Sequence, residues 1–377
     1  MKPESLYDLL TDGAGRYGAA PHLVDAFADA RRTFSFAEVL DLSGRGASFL
    51  AARLAGASRP HAGILAENSS LWSIAFYSAA AAGATVVPLD VRQTEDEIVG
   101  IVREASVAVL LVSAGFARFA ERLAAAGDIR EFFVLDDGWL RLLRQHEPLT
   151  ASPATADSTA AIIYTSGTSG RSKGVVLTHG NILNQTLQNV PAIGVGPESR
   201  LLAILPLNHI FVFVGVLSCH AAGSAVVFID SLKPARVVAA LKEERITHLA
   251  GIPLLYDAFI KGILLKVHAR GLPVRIVFAG LLRLGWLAYR AGGVAASRRL
   301  FGHLHHEFAP SIQRFICGGA KARPETIRRF LALGYEFQEG YGLTETSGGI
   351  IINPPDRRKA IGSAGRPIGD TEMRILE

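Results

Sequence analysis

HAGILAENSSLWSIAFYSAAAAGATVVPLDVRQTEDEIVGIVREASVAVLLVS, residues 61 to 113, is the stretch that decides the fold. HAGILAEN reads as a strand, SLWSIAFYSAAAAGA as a helix and TVVPLD as a second strand. Thr94 and Glu97 then have capping-box spacing ahead of a helix over EIVGIVREA, and VAVLLVS supplies a third strand. The order is βαβαβ. It returns further on in TAAIIYT, RLLAILPL, SAVVFID, THLAGIP and RFICGGA, separated by helical spacing in PARVVAALKEERI and RPETIRRFLALG. Strands this uniformly apolar are covered on both faces, as in parallel sheets, so the class is α/β.

Around this core the chain divides. At 377 residues it exceeds one typical core, and EPLTASPATADS, residues 147 to 158, replaces periodic hydrophobics with Pro, Ser, Thr and Ala. The expected units are a first α/β subdomain over 1–150 and a second over 151–353. The opening MKPESLYDLLTDGAGRYG reads as an amphipathic helix and lacks the apolar run of a secretory signal. With 49% apolar and 19% charged residues, a disordered chain is excluded. Cys219 and Cys317 are the two cysteines and lack C-x-x-C spacing, so no disulfide framework or zinc knuckle is readable, and a reducing, cytoplasmic setting fits. A net charge of +5 is too small to imply nucleic acid. The histidine cluster GHLHHE at 302 to 307 has no partner cluster and is read as surface.

Two glycine-containing motifs carry the chemistry. In YTSGTSGRSKGVVLTHGNI, residues 164 to 182, glycines let backbone N–H groups turn inward, hydroxyls donate, and Lys173 adds a cation, which together suit a polyphosphate. The spacing is not that of a Walker loop, because Gly167 and Gly170 are three apart and Lys173 is followed by Gly174. In FQEGYGLTETSGG, residues 337 to 349, one loop holds Tyr341 to stack on a purine, Thr344 to donate to a phosphate and Glu345 to hold Mg2+.

In order, YTSGTSGRSKGVVLTHGNI, LPLNHIFVF, FICGGAKARPE and EGYGLTET resemble the AMP-forming acyl-adenylate synthetase superfamily, and AENSSLWSIAFYSAAAAGATVVPLD upstream is similar to it as well. The resemblance implies two parallel-type sheets flanked by helices, with 354–377 beginning a small β-barrel subdomain. It also implies that Thr165, Ser166, Gly167, Thr168, Ser169, Gly170 and Lys173 wrap the ATP phosphates, with Thr168 and Glu345 at Mg2+. Ser169 stands where threonine is commoner, and Ser172 where proline is usual. By the same resemblance Gly318, Gly319 and Ala320 border adenine and the acyl chain. Glu339, Gly340, Tyr341, Gly342 and Thr344 form the nucleotide site, where Tyr341 stacks on adenine and Thr344 touches the α-phosphate. His209 flanks the carboxylate pocket, and the catalytic set is Lys173, Thr344, Glu345 and His209. The implied reaction makes acyl-AMP and pyrophosphate from a carboxylate and ATP, then transfers the acyl group to a thiol.

Residues 258 to 306 hold no acidic side chain yet include Lys261, Lys266, Arg270, Arg275, Arg283 and Arg290 among apolar pieces. Arginines inside the run argue against a spanning helix. A helix on the inner face of the membrane and a core helix pair with snorkelling arginines both remain open. The insertion is similar to those of long-chain fatty acyl-CoA synthetases, which implies a medium-to-long-chain fatty acid as substrate and CoA as acceptor. A fatty acyl-AMP ligase that delivers to an acyl carrier protein, and a non-catalytic acyl- or nucleotide-binding module, are the alternatives. The superfamily's Thr-Gly-Asp motif and lysine-bearing lid are not found after Glu345, and the chain stops within EMRILE, which reads as a strand. A truncated chain with weak activity is the expectation.

Overall fold

The strand Val107–Val112 is buried at every position, as is Thr85–Pro88. A strand without a solvent face needs apolar residues throughout rather than in alternation. In the computed structural model, which describes residues 3–166, 172–354 and 360–375 and only the backbone of Ser166, both strands lie inside a six-stranded sheet. Its spatial order is Glu131–Val134, Val107–Val112, His61–Leu65, Thr85–Pro88, Thr159–Ser166 and Ser172–Thr178. The first five are parallel and the last is antiparallel.

The other sheet has nine strands among the described residues. Their order is Arg366–Pro367, Gly348–Ile352, Glu336–Leu343, Arg314–Cys317, His248–Gly251, Arg200–Leu202, Ala225–Phe228, Pro21–Ala26 and Arg31–Ser35. The six from Glu336–Leu343 to Pro21–Ala26 are parallel, and both margins are antiparallel.

The two sheets share one helical layer. Ile64 and Leu111 of the first sheet and Leu201, Val226 and Ile316 of the second belong to a single buried cluster with helices Leu6–Tyr17, Phe36–Leu54, Ser70–Ala81, His179–Ile193 and Ile210–Ala222. Helix Ser70–Ala81 is buried at all twelve positions and accordingly has no polar face. Helices Glu95–Glu104 and Ala117–Ala125 cover the outer face of the first sheet. The second is covered by Pro234–Glu243, Pro253–His268, Leu272–Arg298 and Pro324–Ala332. The layers are therefore helix, sheet, helix, sheet, helix, the doubly covered α/β arrangement that the strand composition predicts. The Thr94–Glu97 capping box forms, and Thr178 with Asn181 forms another where the Ser172–Thr178 strand turns into a helix.

Several elements depart from the sequence expectations. Sheet membership does not follow the seam at 147–158: Pro21–Ala26 and Arg31–Ser35 join the sheet built by later residues, and the Thr159–Thr178 hairpin joins the earlier one. Hydrophobic pattern marks a strand as buried without naming its neighbour. The GYGLTET segment is not one loop, because Glu336–Leu343 is a strand that turns at 344–347 into Gly348–Ile352. Within 354–377, the described residues contribute one strand, Arg366–Pro367, at the margin of the larger sheet. Residues 371–375 of the EMRILE region have no regular structure, with Met373 and Ile375 exposed; 376 and 377 lie outside the described residues. The GHLHHE cluster is not all surface: His305 is buried, with Nε2 2.8 Å from the Leu333 carbonyl.

Candidate active site

Four parallel strands lie side by side in the larger sheet: Arg200–Leu202, His248–Gly251, Arg314–Cys317 and Glu336–Leu343. Leu201 pairs with His248, Gly251 with Cys317, and Cys317 with Glu339. The segments that continue past the last parallel pairs are therefore neighbours, and they carry 203–209, Gly318 to Ala320 and, beyond Glu339, Gly340 to Glu345. The carboxyl edge of a parallel sheet is where α/β folds bind ligands, since strands end there and loops converge.

Side-chain contacts fasten these segments together. Helix Ile210–Ala222 begins after His209, and the Phe211 ring lies against Gly318, where an added Cβ would come within 3.1 Å of it. Asn68 holds the approach to His209: its Nδ2 donates to the carbonyls of Ala203 (3.1 Å) and Leu205 (2.7 Å), and its Oδ1 accepts from the Leu207 N–H (2.9 Å). The His209 side chain is 52% exposed and its Nε2 lies 3.3 Å from Arg92 NH2. Arginine can only donate, so Nε2 is the acceptor and the ring is neutral. Partial desolvation lowers the His209 pKa, opposed by Asp90 and helped by Arg92. Burial raises the Asp90 pKa, but its bonds to Arg92 outweigh that and hold it below the ordinary value.

The phosphate-type motif folds as a hairpin. Thr165 pairs with Lys173 and Ser166 with Ser172, so Lys173 sits on a strand, with Thr165 Oγ1 3.5 Å from its carbonyl. Lys173 is exposed and forms no ion pair among the described residues. Gly167, Thr168, Ser169 and Gly170 lie outside the described residues. From Thr178 the chain enters helix His179–Ile193, whose Gln185 Nε2 donates to the Gly349 carbonyl of the other hairpin. The two motifs are thus bound to one helix although they belong to different sheets.

In the second hairpin, Tyr341 is half-exposed. Register shifts between Tyr341 and Gly342, and a Cβ on Gly342 would fall 1.8 Å from the Gly348 carbonyl oxygen, so only glycine fits between the strands. Thr346 closes the turn: its hydroxyl accepts from the Leu343 N–H (2.9 Å) and contacts the carbonyls of Leu343 (3.0 Å) and Gly348 (2.9 Å). Thr344 is partly exposed and Glu345 exposed within that turn. Glu339 is buried at the strand end, and its carbonyl accepts from Asn353 N–H (2.9 Å). Gly319 and Ala320 are exposed beside the buried Gly318.

Among the described residues no group of three or more His, Cys, Asp and Glu is placed to hold a metal ion. Mg2+ in nucleotide sites takes one or two protein carboxylates and completes its shell with phosphate and water, so the exposed Glu345 carboxylate fits that role without a cluster.

The profile of the AMP-binding enzyme family matches residues 10–377. The chain belongs to that family. Among AMP-binding enzymes, a feruloyl-CoA synthase of an Amycolatopsis species is 26% identical over 317 residues, covering 82% of this chain and 55% of that protein. The long-chain-fatty-acid–CoA ligase FadD13 of Mycobacterium tuberculosis is 26% identical over 358 residues, 93% of this chain and 63% of that protein. The inhibitor-bound N-terminal domain of FACL13 from Mycobacterium tuberculosis superposes with a TM-score of 0.76 at 24% identity, covering 97% of this chain and 83% of that one. This likeness shows the fold. The chain spans about half the length of the curated relatives it matches.

Sequence reasoning passed over Asn68, Arg92 and Gln185, which hold the candidate site from other elements, and Thr346, which closes the turn carrying Thr344 and Glu345. Asn68 lay inside a quoted motif, but its role depends on carbonyls and an N–H that only the fold brings near, whereas Thr346 bonds within its own turn to Leu343 and Gly348. Arg92 and Gln185 had no signal, being ordinary polar residues beside a strand end and within a helix.

Proposed function

We propose that this chain is the ATP- and acyl-binding portion of an AMP-forming acid–thiol ligase acting on a medium-to-long-chain fatty acid, with CoA as acceptor. The observation that carries the reading is the convergence of Gly318 to Ala320 and Gly340 to Glu345 at adjacent carboxyl ends of one parallel sheet, tied through Gln185 to the helix that follows the Lys173 hairpin. The fatty-acid assignment draws on the similarity to FadD13 and on the apolar, basic stretch 258–306.

Tyr341 offers a half-exposed face for adenine, and Thr344 a hydroxyl beside it for the α-phosphate. Lys173, free of carboxylates among the described residues, places a cation against the triphosphate. Glu345 would hold Mg2+, which supplies charge neutralisation to the phosphates. The acid's carboxylate oxygen attacks the α-phosphorus, the bond to the bridging oxygen of the β-phosphate breaks, and pyrophosphate leaves. A thiol then attacks the acyl carbon of the anhydride, and AMP departs as the thiol loses its proton. Neither step demands a side-chain base at the phosphorus, so alignment and charge account for the catalysis. His209, held neutral with its Nε2 on Arg92, borders the carboxylate's approach rather than serving as a base.

Acid-dependent exchange of labelled pyrophosphate into ATP by the gene-encoded protein tests this reading. Fatty acids of eight to eighteen carbons are compared with ferulate, and CoA with acyl carrier protein as acceptor. Exchange with fatty acids and thioester formation on CoA are expected. Exchange with ferulate alone would remove the fatty-acid assignment, thioester on carrier protein alone would remove CoA, and failure of every acid together with no AMP binding would remove the ligase.

A further inference from the structure

The helices Pro253–His268 and Leu272–Arg298, the second broken by a kink at Gly292 and Gly293, form a hairpin whose base is packed and whose tip is not. At the base, Tyr289 and Ser297 are buried, Ser297 Oγ donates to the Leu331 carbonyl (2.9 Å), and Gly285 lies against Ala332 of the neighbouring helix. At the tip, residues 269 to 277 are exposed without exception. Leu272 and Ile276 are each 63% exposed and Val277 is 62% exposed. At roughly 100° per residue, Leu272, Ile276, Val277 and Val274 fall at about 0°, 40°, 140° and 200° around the axis. Apolar side chains therefore cover more than half the circumference, and Arg275 takes up the gap. Basic residues continue along the hairpin at Lys266, Arg270, Arg283 and Arg290, and no Asp or Glu occurs between 258 and 306.

We propose that this hairpin tip is a docking wedge for an anionic phospholipid bilayer. A protein groove would contact one side of a helix, whereas apolar groups spread around the tip require a medium that surrounds it. A second copy of this chain would set one basic face against another. A bilayer interface supplies apolar surroundings for Leu272, Ile276 and Val277 and, a few ångströms outward, phosphates for Arg270 and Arg275. The segment Leu272–Phe308, interrupted by the kink at Gly292 and Gly293, is by length and composition alone long and apolar enough to span a bilayer. Its packed base and the arginines at 283 and 290 keep it at the surface instead. The wedge is independent of which acid the active site accepts, and its test requires neither ATP nor acid.

Sedimentation of the protein with vesicles of phosphatidylcholine alone and of phosphatidylcholine with phosphatidylglycerol tests the proposal. Binding is expected to the anionic vesicles and not to the neutral ones, weakening with salt. Each basic side chain near the surface contributes roughly fivefold, so Arg275→Glu should reduce partitioning on the order of 30-fold. Ile276→Asp with Val277→Asp should abolish binding. These positions are exposed, so unchanged thermal unfolding verifies that the variants remain folded. Absence of wild-type binding to anionic vesicles, equal binding by the variants, or a wild-type dimer that these substitutions convert to monomer would each overturn the wedge.

Discussion

Acid should unfold this protein through its buried histidines well above the carboxylate range. His179, His220, His248 and His305 are buried, and desolvation takes each from 6.5 to about 4. His220 shows why. His22 Nδ1–H donates to the Ser224 carbonyl (2.9 Å), so His22 Nε2 must accept from His220 Nδ1–H (2.9 Å), and His220 Nε2 is pressed towards Gly13 of the first helix. A Cβ on Gly13 would sit 2.4 Å from that nitrogen, which leaves little room to hydrate a second N–H. Between pH 6.5 and 4 the unfolded chain binds the protons that the folded chain refuses, so stability rises with pH across this window and is lost as pH falls. At pH 5 each such histidine costs about 2 kcal/mol, so these four together cost about 8 kcal/mol, and His22, fully buried and lowered well below its ordinary value by desolvation, adds in the same direction. A typical domain has only about 5–15 kcal/mol in total. Carboxylates with ordinary unfolded values titrate mainly below this window, and Asp25, whose pKa burial raises, opposes the trend with a single group. Urea unfolding followed by circular dichroism at pH 7.5, 6.0, 5.5 and 5.0 measures the effect. The expected fall between pH 6 and 5 is several kcal/mol, equivalent to uptake of about four protons on unfolding. Identical unfolding free energies at pH 6 and 5 would refute the assignment of these histidines as neutral and dry.

Two further pairs of substitutions probe the site and its frame. Gly342→Ala should open the 336–352 hairpin at a cost of about 1–3 kcal/mol and weaken AMP binding by calorimetry, while Gly340→Ala, whose new methyl would meet nothing closer than 3.3 Å, should cost much less; equal effects would show that the bulge is not tight. Glu244 is buried and pairs with the exposed Arg31 and with the less exposed Arg200 (3.0 Å), so Glu244→Ala, which removes both ion pairs and leaves Arg200 only its Nε bond to the main-chain carbonyl of residue 244, should destabilise by about 2 kcal/mol in urea titrations. Arg31→Ala should cost no more than about 1 kcal/mol, and a reversed order would sink that account.

The residues themselves determined the class of this fold and most of what it holds. A short, β-branched apolar run such as 107–112 reads as a strand covered on both sides, where the longer, alanine-rich run at 70–81 reads as a buried helix, and the capping residues Thr94 and Glu97 act through bonds three residues apart, so local order suffices to read both. The grouping of glycine, hydroxyl and lysine at 164–182, and of Gly340, Tyr341, Thr344 and Glu345, was legible as a pair of candidate motifs because their residues lie close in sequence. Which sheet each strand joins was not legible, because Pro21–Ala26 would satisfy its apolar positions in either. Nor was the part played by Asn68, whose three partners lie about 140 residues away, or by Gln185, which ties a helix of one hairpin to a strand of the other. Only packing in three dimensions brings such donors and acceptors within hydrogen-bond reach, and that packing, more than any motif, ties the helix after one hairpin to the other hairpin.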